Sequence, residues 1–448
     1  MTERAVRRLP ADPGVSGWYA LSRREAPARV LEGPRTADWL IIGAGYGGLS
    51  AARRLSQTRP GERIVVLDAK KVAESTAGRN SGFMIDLPHD LTSGEYSPNS
   101  AAETAAEIDD NRFAIDFAKA VAAEYGMARS VFDPCGKTNA AATARGARLN
   151  ADFARSLSRI GESYETLDAK AMREMTGTDY YIDGLHTPGA VMIQPAAYIH
   201  AFAASIGKTA DIYEDSPVVT LAGNNGGWTA RTPKGAVSAP KVILAVNGLV
   251  QQFGHFAGRL MHIMTYASMT RALRAGMAGF GRTGRDAWAI LPADPMGATV
   301  RKISVGGEER IVIRTRFTYD PTLRISNVRM ARVAGEQRRS FDARFPHLGG
   351  LEMEYRWAGA LCLSRNHVPA FGEIEEGLYS ACCENGIGTV KSTLAGVLAA
   401  DLAAGVPSAR LQRFLAFPQP QKLPPEPFAW IGINSAIRWQ EWRAGREG

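Results

Sequence analysis

The stretch ADWLIIGAGYGGLSAARRLS, residues 37–56, decides the fold of this 448-residue chain. It opens on a short apolar run, Trp39 to Ile42, which predicts a buried strand, and it closes on a segment that predicts a helix. Between them lies a G-x-G-x-x-G pattern. Gly43 permits the tight turn, Gly45 lets the backbone approach a pyrophosphate, and Gly48 lets the helix pack close to the strand. The stretch therefore predicts a dinucleotide-binding unit.

An acid at the end of the next strand supports this interpretation. RIVVLD, residues 63–68, predicts a second buried strand, and Asp68 lies 20 residues after Gly48. A carboxylate there can accept both hydroxyl groups of an adenosine ribose, but it would repel the 2′-phosphate of NADP. The backbone at Ala44 and Tyr46 begins the helix and would face the pyrophosphate. FAD and NAD remain as candidate cofactors.

The segment AGRNSGF, residues 77–83, distinguishes between these two cofactors. An NAD site would usually continue from the ribose acid into another regular strand and helix, whereas this chain continues into small and polar residues. Such a loop can lie along an extended cofactor, with side chains as donors and with close backbone approach to the pyrophosphate and flavin. The residues expected to contact the cofactor here are Gly78, Arg79, Asn80 and Ser81.

A second glycine turn lies near the end of the chain and also favours FAD. Residues 375–407 predict a strand, a turn and then a helix from about Val390 to Ala404, ended by Gly405 and Pro407. A helix N-terminus aimed at the N1–C2=O edge of a flavin would stabilise negative charge on the reduced ring. The turn residues expected to face the ring are Gly386, Ile387, Gly388 and Thr389.

These motifs resemble FAD-dependent oxidoreductases of the D-amino-acid oxidase, glycine oxidase and sarcosine oxidase type, closest to the branch containing gamma-glutamylputrescine oxidase. The likeness continues in SPVVTL, KVILAVNGL and RWAGALCLSRNHVPAFGEI, and it covers essentially the whole chain after about residue 16. It differs at Asn385, where many relatives carry His. The resemblance implies noncovalent FAD, with the backbone of Val219 near the adenine.

The resemblance also implies a domain organisation. The expected fold is α/β, with a Rossmann-type FAD-binding domain and a discontinuous α+β substrate domain built on a mostly antiparallel sheet. The expected parts are an N-terminal extension (1–37), the FAD-binding domain (38–100, 196–250 and 356–410), the substrate domain (101–195 and 251–355) and a C-terminal segment (411–448).

Few residues outside the cofactor motifs stand out as substrate contacts. Tyr266 and Asn385 are catalytic candidates through the resemblance, but a core role for Tyr266 is at least as well supported. In RIVIRTRF, Arg314 and Arg316 share one face if the strand is regular; they could clamp a carboxylate, but a solvated basic face is the preferred interpretation. The same strand of sarcosine oxidases carries a lysine thought to activate oxygen, and none occurs here.

Composition excludes several other kinds of site. The net charge of +8 comes without a dense basic run, which disfavours specific nucleic-acid binding, and no apolar window is long enough to predict a membrane span. The four cysteines have neither disulfide nor metal-ligand spacing, and the histidines lack such partners, so no metal site is predicted. A cytoplasmic location is expected.

The expected function is therefore oxidation of an amine or amino acid. Hydride passes from the carbon beside the nitrogen to flavin N5, the imine hydrolyses, and O₂ is the expected acceptor. One alternative is a dehydrogenase that passes electrons to a quinone or a partner subunit. Others are a flavin-binding subunit without turnover and, on charge alone, an enzyme acting on modified tRNA. The sequence does not identify the substrate or the oligomeric state.

Overall fold

The computed structural model describes residues 2–22, 27–88, 100–224, 226–273 and 287–448. The strands of this part are β1 (Thr2–Ala5), β2 (Gly33–Thr36), β3 (Trp39–Ile42), β4 (Ile64–Leu67), β5 (Phe83–Met84), β6 (Phe132–Asp133), β7 (Lys137–Ala141), β8 (Glu165–Asp168), β9 (Asp183–Thr187), β10 (Val191–Ile193), β11 (Ala210–Tyr213), β12 (Thr220–Asn224), β13 (Gly227–Arg231), β14 (Gly235–Ala239), β15 (Lys241–Leu244), β16 (Leu260–Thr270), β17 (Trp288–Pro292), β18 (Thr299–Val305), β19 (Glu308–Tyr319), β20 (Met353–Ser364), β21 (Ala370–Glu375) and β22 (Leu378–Cys382).

The helices are α1 (Gly17–Ala20), α2 (Tyr46–Thr58), α3 (Ala101–Glu124), α4 (Ala144–Ile160), α5 (Ala169–Thr176), α6 (Pro195–Ile206), α7 (Asn327–Arg344), α8 (Gly388–Ala404), α9 (Ala409–Leu415) and α10 (Phe428–Ala444). Among the described residues no single helix has the length and apolar composition needed to cross a membrane. Helices α8 and α9 reach that composition only as a pair bent by 99°.

A parallel sheet carries the glycine turn. Its strand order is β11-β4-β3-β15-β22-β21, and every neighbouring pair is parallel except β21 with β22. All four residues of β3 and of β4 are buried, because both faces of the sheet are covered. Ile41 and Val66 pack on the side of helices α2 and α8, whereas Leu40 and Val65 pack against strands β12 to β14.

The N-terminal segment contributes strands to that covering layer. The five-stranded sheet has the order β1-β12-β13-β14-β2, so both β1 and β2 come from the residues expected to form an extension. Strand β1 pairs antiparallel with β12, and β2 pairs parallel with β14. Strands β1 and β2 thus belong to a sheet whose other strands lie about two hundred residues later in the chain.

The second large sheet has eight strands in the order β20-β16-β19-β18-β17-β7-β9-β8. All neighbouring pairs are antiparallel except β17 with β7, which confirms the expected mostly antiparallel sheet and the α/β fold class. Strand β20 lies in this sheet beside β16, although residues 356–410 were expected to belong to the FAD-binding part. A three-stranded sheet, β5-β10-β6, lies apart from both.

Candidate active site

A single cavity of about 1250 Å³ extends between the parallel sheet and the eight-stranded sheet. Its walls include the turn between β3 and α2, the end of β4, the loop around residues 75–83, the start of α8 and residues of β16 and β19. The volume exceeds the roughly 300–1,000 Å³ of pockets for drug-sized ligands, so it has room for a dinucleotide together with a small substrate.

The glycine turn and Asp68 meet at one end of this cavity. The Ala44 N–H donates to Asp68 Oδ2 at 2.7 Å, and the Lys70 N–H donates to Oδ1 at 2.9 Å. Burial raises the pKa of Asp68 to about 6, although these two N–H groups act in the opposite direction. A Cβ on Gly43 (φ 108°) would overlap the carbonyl oxygen of Ala245, so this turn requires glycine.

Gly48 has a packing role and does not line the cavity. A Cβ at this position would overlap the carbonyl oxygen of Gly43. The helix and the strand can therefore approach this closely only with hydrogen at residue 48.

Two helices present uncapped N-termini to the cavity. Helix α2 follows Gly45 and helix α8 follows Ile387, and neither N-cap side chain accepts a hydrogen bond from the helix. The first-turn N–H groups and the helix dipole therefore favour negative charge in the cavity. The predicted turn residues Gly386, Ile387, Gly388 and Thr389 all line it. The Thr389 hydroxyl donates to the Phe83 carbonyl and ties α8 to β5.

The loop at residues 77–83 divides into two parts. Asn80 and Ser81 line the cavity, and the Asn80 side chain shapes the loop by donating to Ala77 O at 2.7 Å and accepting from Gly82 N at 2.8 Å. Asn80 Nδ2 also donates to the Tyr46 hydroxyl at 3.2 Å. The loop therefore contacts the start of α2.

The Arg79 side chain does not reach the cavity, which corrects the expectation that it is a donor to the cofactor. It is 6% exposed and donates to four backbone carbonyls: Glu74 at 2.7 Å, Gly14 at 2.9 Å, and Pro13 and Ala358 at 3.1 Å. Gly78 does not line the cavity either, and a Cβ there would overlap the carbonyl oxygen of Ala73. Both residues fix the loop from behind.

The backbone of Val219 does not have the free groups expected for a contact with the adenine. Its N–H donates to Arg231 O and its carbonyl accepts from Val6 N, so strand pairing uses both backbone groups. Ser216 and Val218 line that end of the cavity instead. Residues 8–12 line it too, and because they carry no cofactor motif, their place there is not predictable from the sequence.

Comparison with known proteins explains this arrangement. A model of the DAO family, described as FAD dependent oxidoreductase, matches residues 38–402. The chain belongs to this family. It is 26% identical over 441 residues to a gamma-glutamylputrescine oxidoreductase of Escherichia coli, covering 92% of this chain and 93% of the relative. A probable oxidoreductase OrdL of Rhizobium meliloti is 23% identical over 417 residues, covering 88% and 90%. Glycine oxidase from Geobacillus kaustophilus has a similar fold, with a TM-score of 0.66, 20% identity and coverage of 87% and 100%.

The predicted resemblance and the FAD cofactor are thereby confirmed, and the residues present fit that cofactor. Asp68 can accept the ribose hydroxyls, the turn at Gly43 admits a pyrophosphate, and the uncapped α8 can face the ring. This DAO-family enzyme is therefore an FAD-dependent oxidoreductase. Within the described residues, no group of three or more His, Cys, Asp or Glu side chains could hold a metal ion.

Arg314 and Arg316 do not share a face, contrary to expectation. Phe317 pairs with Thr265 and Thr315 pairs with Tyr266, so Arg316 (φ 64°) is the extra residue of a β-bulge. Its guanidinium forms ion pairs with Glu336 and Glu441. Arg314 lines the cavity instead of facing solvent. Nothing in the alternation of RIVIRTRF reveals the bulge.

The Arg314 guanidinium has few partners. Its Nη2 donates to Thr299 Oγ1 at 2.7 Å, and its carbon Cζ lies 4.9 Å from the centre of the Phe317 ring. Its Nη1 is buried and finds no acceptor among the residues that the structure describes. Burial lowers the pKa of Arg314 to about 10, still well above neutrality, so the side chain remains charged. Arg314 is thus a half-buried cation whose Nη1 is fully buried and which has no described carboxylate partner.

The two catalytic candidates have different surroundings. Tyr266 is a core residue, 1% exposed, and its hydroxyl lies 2.7 Å from Thr318 Oγ1, so it does not line the cavity. Asn385 does line it, with Oδ1 accepting the Ser364 N–H at 2.8 Å. Sequence reasoning missed Glu384, which also lines the cavity and accepts from Ser392 Oγ at 2.9 Å. Burial raises the pKa of Glu384 to about 7.

Proposed function

We propose that this enzyme oxidises the C–N bond of an amine or amino acid that carries a carboxylate, and that Arg314 binds this carboxylate. The observation that carries the proposal is the buried Arg314 Nη1, which lines the cavity without an acceptor. A buried charge is costly unless it is paired, and a carboxylate matches the planar fork of a guanidinium. The substrate would therefore supply the missing partner.

The relatives agree with this class of substrate. The curated relative from Escherichia coli is named for gamma-glutamylputrescine, an amine, and the solved structure from Geobacillus kaustophilus is a glycine oxidase. Both names describe molecules in which nitrogen is bonded to an oxidisable carbon. They support C–N oxidation without specifying the substrate of this chain.

The chain's own residues would position the substrate. Bound FAD supplies the two-electron acceptor for the carbon next to the nitrogen, and the resulting imine hydrolyses in water. Arg314, fixed by Thr299 and Phe317, orients the carboxylate. The apolar side chains of Met264 and Leu361 line the cavity and help to exclude water. A base is not required when the amine binds in its unprotonated form.

We propose O₂ as the electron acceptor. One observation favours the alternative, a dehydrogenase with a carrier: strand β19 presents Arg314 to the cavity and contains no lysine. Peroxide release with matching oxygen consumption during turnover would support an oxidase. If the substrate bleaches the flavin without release of peroxide, and an added quinone restores the flavin absorbance, the dehydrogenase would be supported.

Anaerobic reduction of the holoenzyme tests the substrate class. Amines and amino acids with a carboxylate are compared with matched amines in which a methyl group replaces it, and the loss of flavin absorbance is followed. We expect bleaching by members of the first set and slower bleaching by their matched partners. Bleaching that is equally fast with and without the carboxylate would contradict the role of Arg314, and no bleaching by any amine would contradict C–N oxidation.

A further inference from the structure

A second cation, Lys137, lines the cavity three strands away from Arg314, and it is buried. Lys137 is 3% exposed, and its Nζ donates to Asn139 Oδ1 at 2.6 Å. The ammonium nitrogen lies 5.1 Å from the centre of the Phe153 ring. Both Lys137 and Asn139 line the same cavity as Arg314.

The register of the sheet places these residues in line with Arg314. Arg314 pairs with Thr299, and Asn139 pairs with Leu291. In the antiparallel strands β17 and β18, Ile290 pairs with Val300. Leu291, the next residue of β17, therefore lies opposite Thr299, the preceding residue of β18. Directly opposite residues share a face, so one row crosses four strands on the cavity side. Its backbone length is about 14 Å, three strand spacings of about 4.8 Å.

The charge of Lys137 is not paired within the described chain. It forms no ion pair with a described carboxylate. The negative charge of Asp86 raises the pKa of Lys137, but the Asp86 carboxylate pairs with Arg112 at 3.0 Å and does not line the cavity. Burial lowers the pKa of Lys137 to about 8, so the ammonium form still predominates at neutral pH. An ammonium group has three donors, and Asn139 accepts one of them.

We infer that Lys137 and Asn139 form a distal subsite for a second carboxylate of the substrate. Arg314 would hold the carboxylate near the reacting carbon, and Lys137 would hold one at the other end of the molecule. Between them the row presents Leu291 to the cavity, which fits an aliphatic chain. Resting on the proposed function, this inference narrows its substrate class to elongated amines with two carboxylates.

Ligand binding to the oxidised holoenzyme tests the subsite without turnover. Linear dicarboxylates from succinate to suberate and monocarboxylates of the same chain lengths are titrated, and the change in the flavin spectrum gives each Kd. We expect one dicarboxylate length to bind roughly tenfold or more tightly than its matched monocarboxylate. If monocarboxylates bind but no dicarboxylate binds more tightly than the monocarboxylate of the same length, the distal subsite is overturned, whereas the role of Arg314 is unaffected.

Two variants of Lys137 test whether this residue causes the tighter binding of dicarboxylates. In Lys137→Met and Lys137→Gln the dicarboxylate advantage should disappear, whereas the Kd of the monocarboxylates should stay within about twofold. Lys302→Met is the matched control, because Lys302 is also 3% exposed in this sheet but belongs to strand β18, two strands from β7, does not line the cavity and pairs with Glu309. If a folded Lys137 variant still binds the dicarboxylate more tightly than the monocarboxylate, the assignment of the distal subsite to Lys137 is overturned. It is also overturned if Lys302→Met loses this difference in Kd. If neither ligand series perturbs the flavin and no amine bleaches it, the proposed function itself fails.

Discussion

Asp68 Oδ2 accepts the Ala44 N–H at 2.7 Å, so the acid at the end of β4 is bonded directly to the glycine turn after β3. The same carboxylate lines the cavity that fits FAD. A single side chain is thereby bonded to the glycine turn and placed where we propose that it binds the ribose.

FAD affinity should consequently depend on pH through Asp68. Burial raises the pKa of Asp68 to about 6, so below that pH the carboxyl is protonated and accepts ribose hydroxyls less well. We expect the affinity of the apoprotein for FAD to fall as the pH drops below about 6, by up to about tenfold per unit. Fluorescence titration with FAD between about pH 5 and pH 8 measures this.

Asp68→Asn is the control for that titration, since it keeps the shape of the side chain, removes its charge and leaves one oxygen to accept either the Ala44 or the Lys70 N–H. FAD should bind it about ten- to a hundredfold more weakly above pH 6, consistent with the loss of a charged hydrogen-bond acceptor. Glu384 also titrates in the cavity, with a pKa of about 7. A pH dependence that remains unchanged in Asp68→Asn would assign the effect to Glu384 or another group.

Replacement of Arg314 by Met should impair carboxylated substrates selectively. Truncating a buried charge that binds an anion costs about 2–4 kcal/mol, which corresponds to a roughly 30- to 1,000-fold drop in kcat/KM. Amines without a carboxylate should be affected little. Steady-state kinetics on matched substrate pairs provide the measurement, with Arg271→Met as the control because Arg271 is exposed and pairs with Glu352. An equal loss for both substrates would argue for a general structural defect.

Arg79→Met should destabilise the fold without weakening FAD binding to the folded protein by more than about threefold. The variant leaves four backbone carbonyls without their donor, of which the Ala358 carbonyl is in a buried bond and the other three are in partly buried bonds, and the cost should be about 2–3 kcal/mol. Denaturant unfolding and FAD titration separate the two effects. Strong loss of FAD affinity at full stability would restore the original expectation that Arg79 contacts the cofactor.

Gly48→Ala should be far more damaging than Gly335→Ala, although both glycines lie in helices. A Cβ at residue 48 would overlap the Gly43 carbonyl oxygen and push α2 away from β3. At residue 335 a Cβ meets nothing closer than Arg339 Nη1 at 3.9 Å, so alanine should be neutral or stabilise by up to about 1 kcal/mol. Thermal unfolding and the FAD content after purification report both outcomes. Similar behaviour of the two variants would show that close helix–strand contact at Gly48 is unimportant.

The sequence was most informative where function depends on backbone geometry in a local unit. The pattern from Trp39 to Asp68 predicts two strands, a turn and a helix, because the turn and the close approach of Gly48 to the Gly43 carbonyl oxygen lie within this one unit. The turn around Gly386 was predicted in the same way. These local rules also led to the family.

Predictions failed where a side chain's direction depends on distant parts of the chain. Arg79 could be placed in the right loop, but its partners Gly14 and Ala358 come from remote segments. Arg316 lies in a bulge that alternation cannot reveal, and this hid the different surroundings of Arg314. The N-terminal residues carry no motif, so their place beside the cofactor cavity could only be seen in three dimensions.

The order of strands in the parallel sheet has a consequence for how the enzyme is made. Strands β3 and β4 are translated early, but they are completed by β15 and β22, and α8 follows only at residues 388–404. The ribosome must therefore synthesise the chain as far as residues 388–404 before the cavity has both of its helix N-termini. A cofactor that contacts both helix N-termini can consequently be enclosed only long after the nucleotide-binding turn has been synthesised.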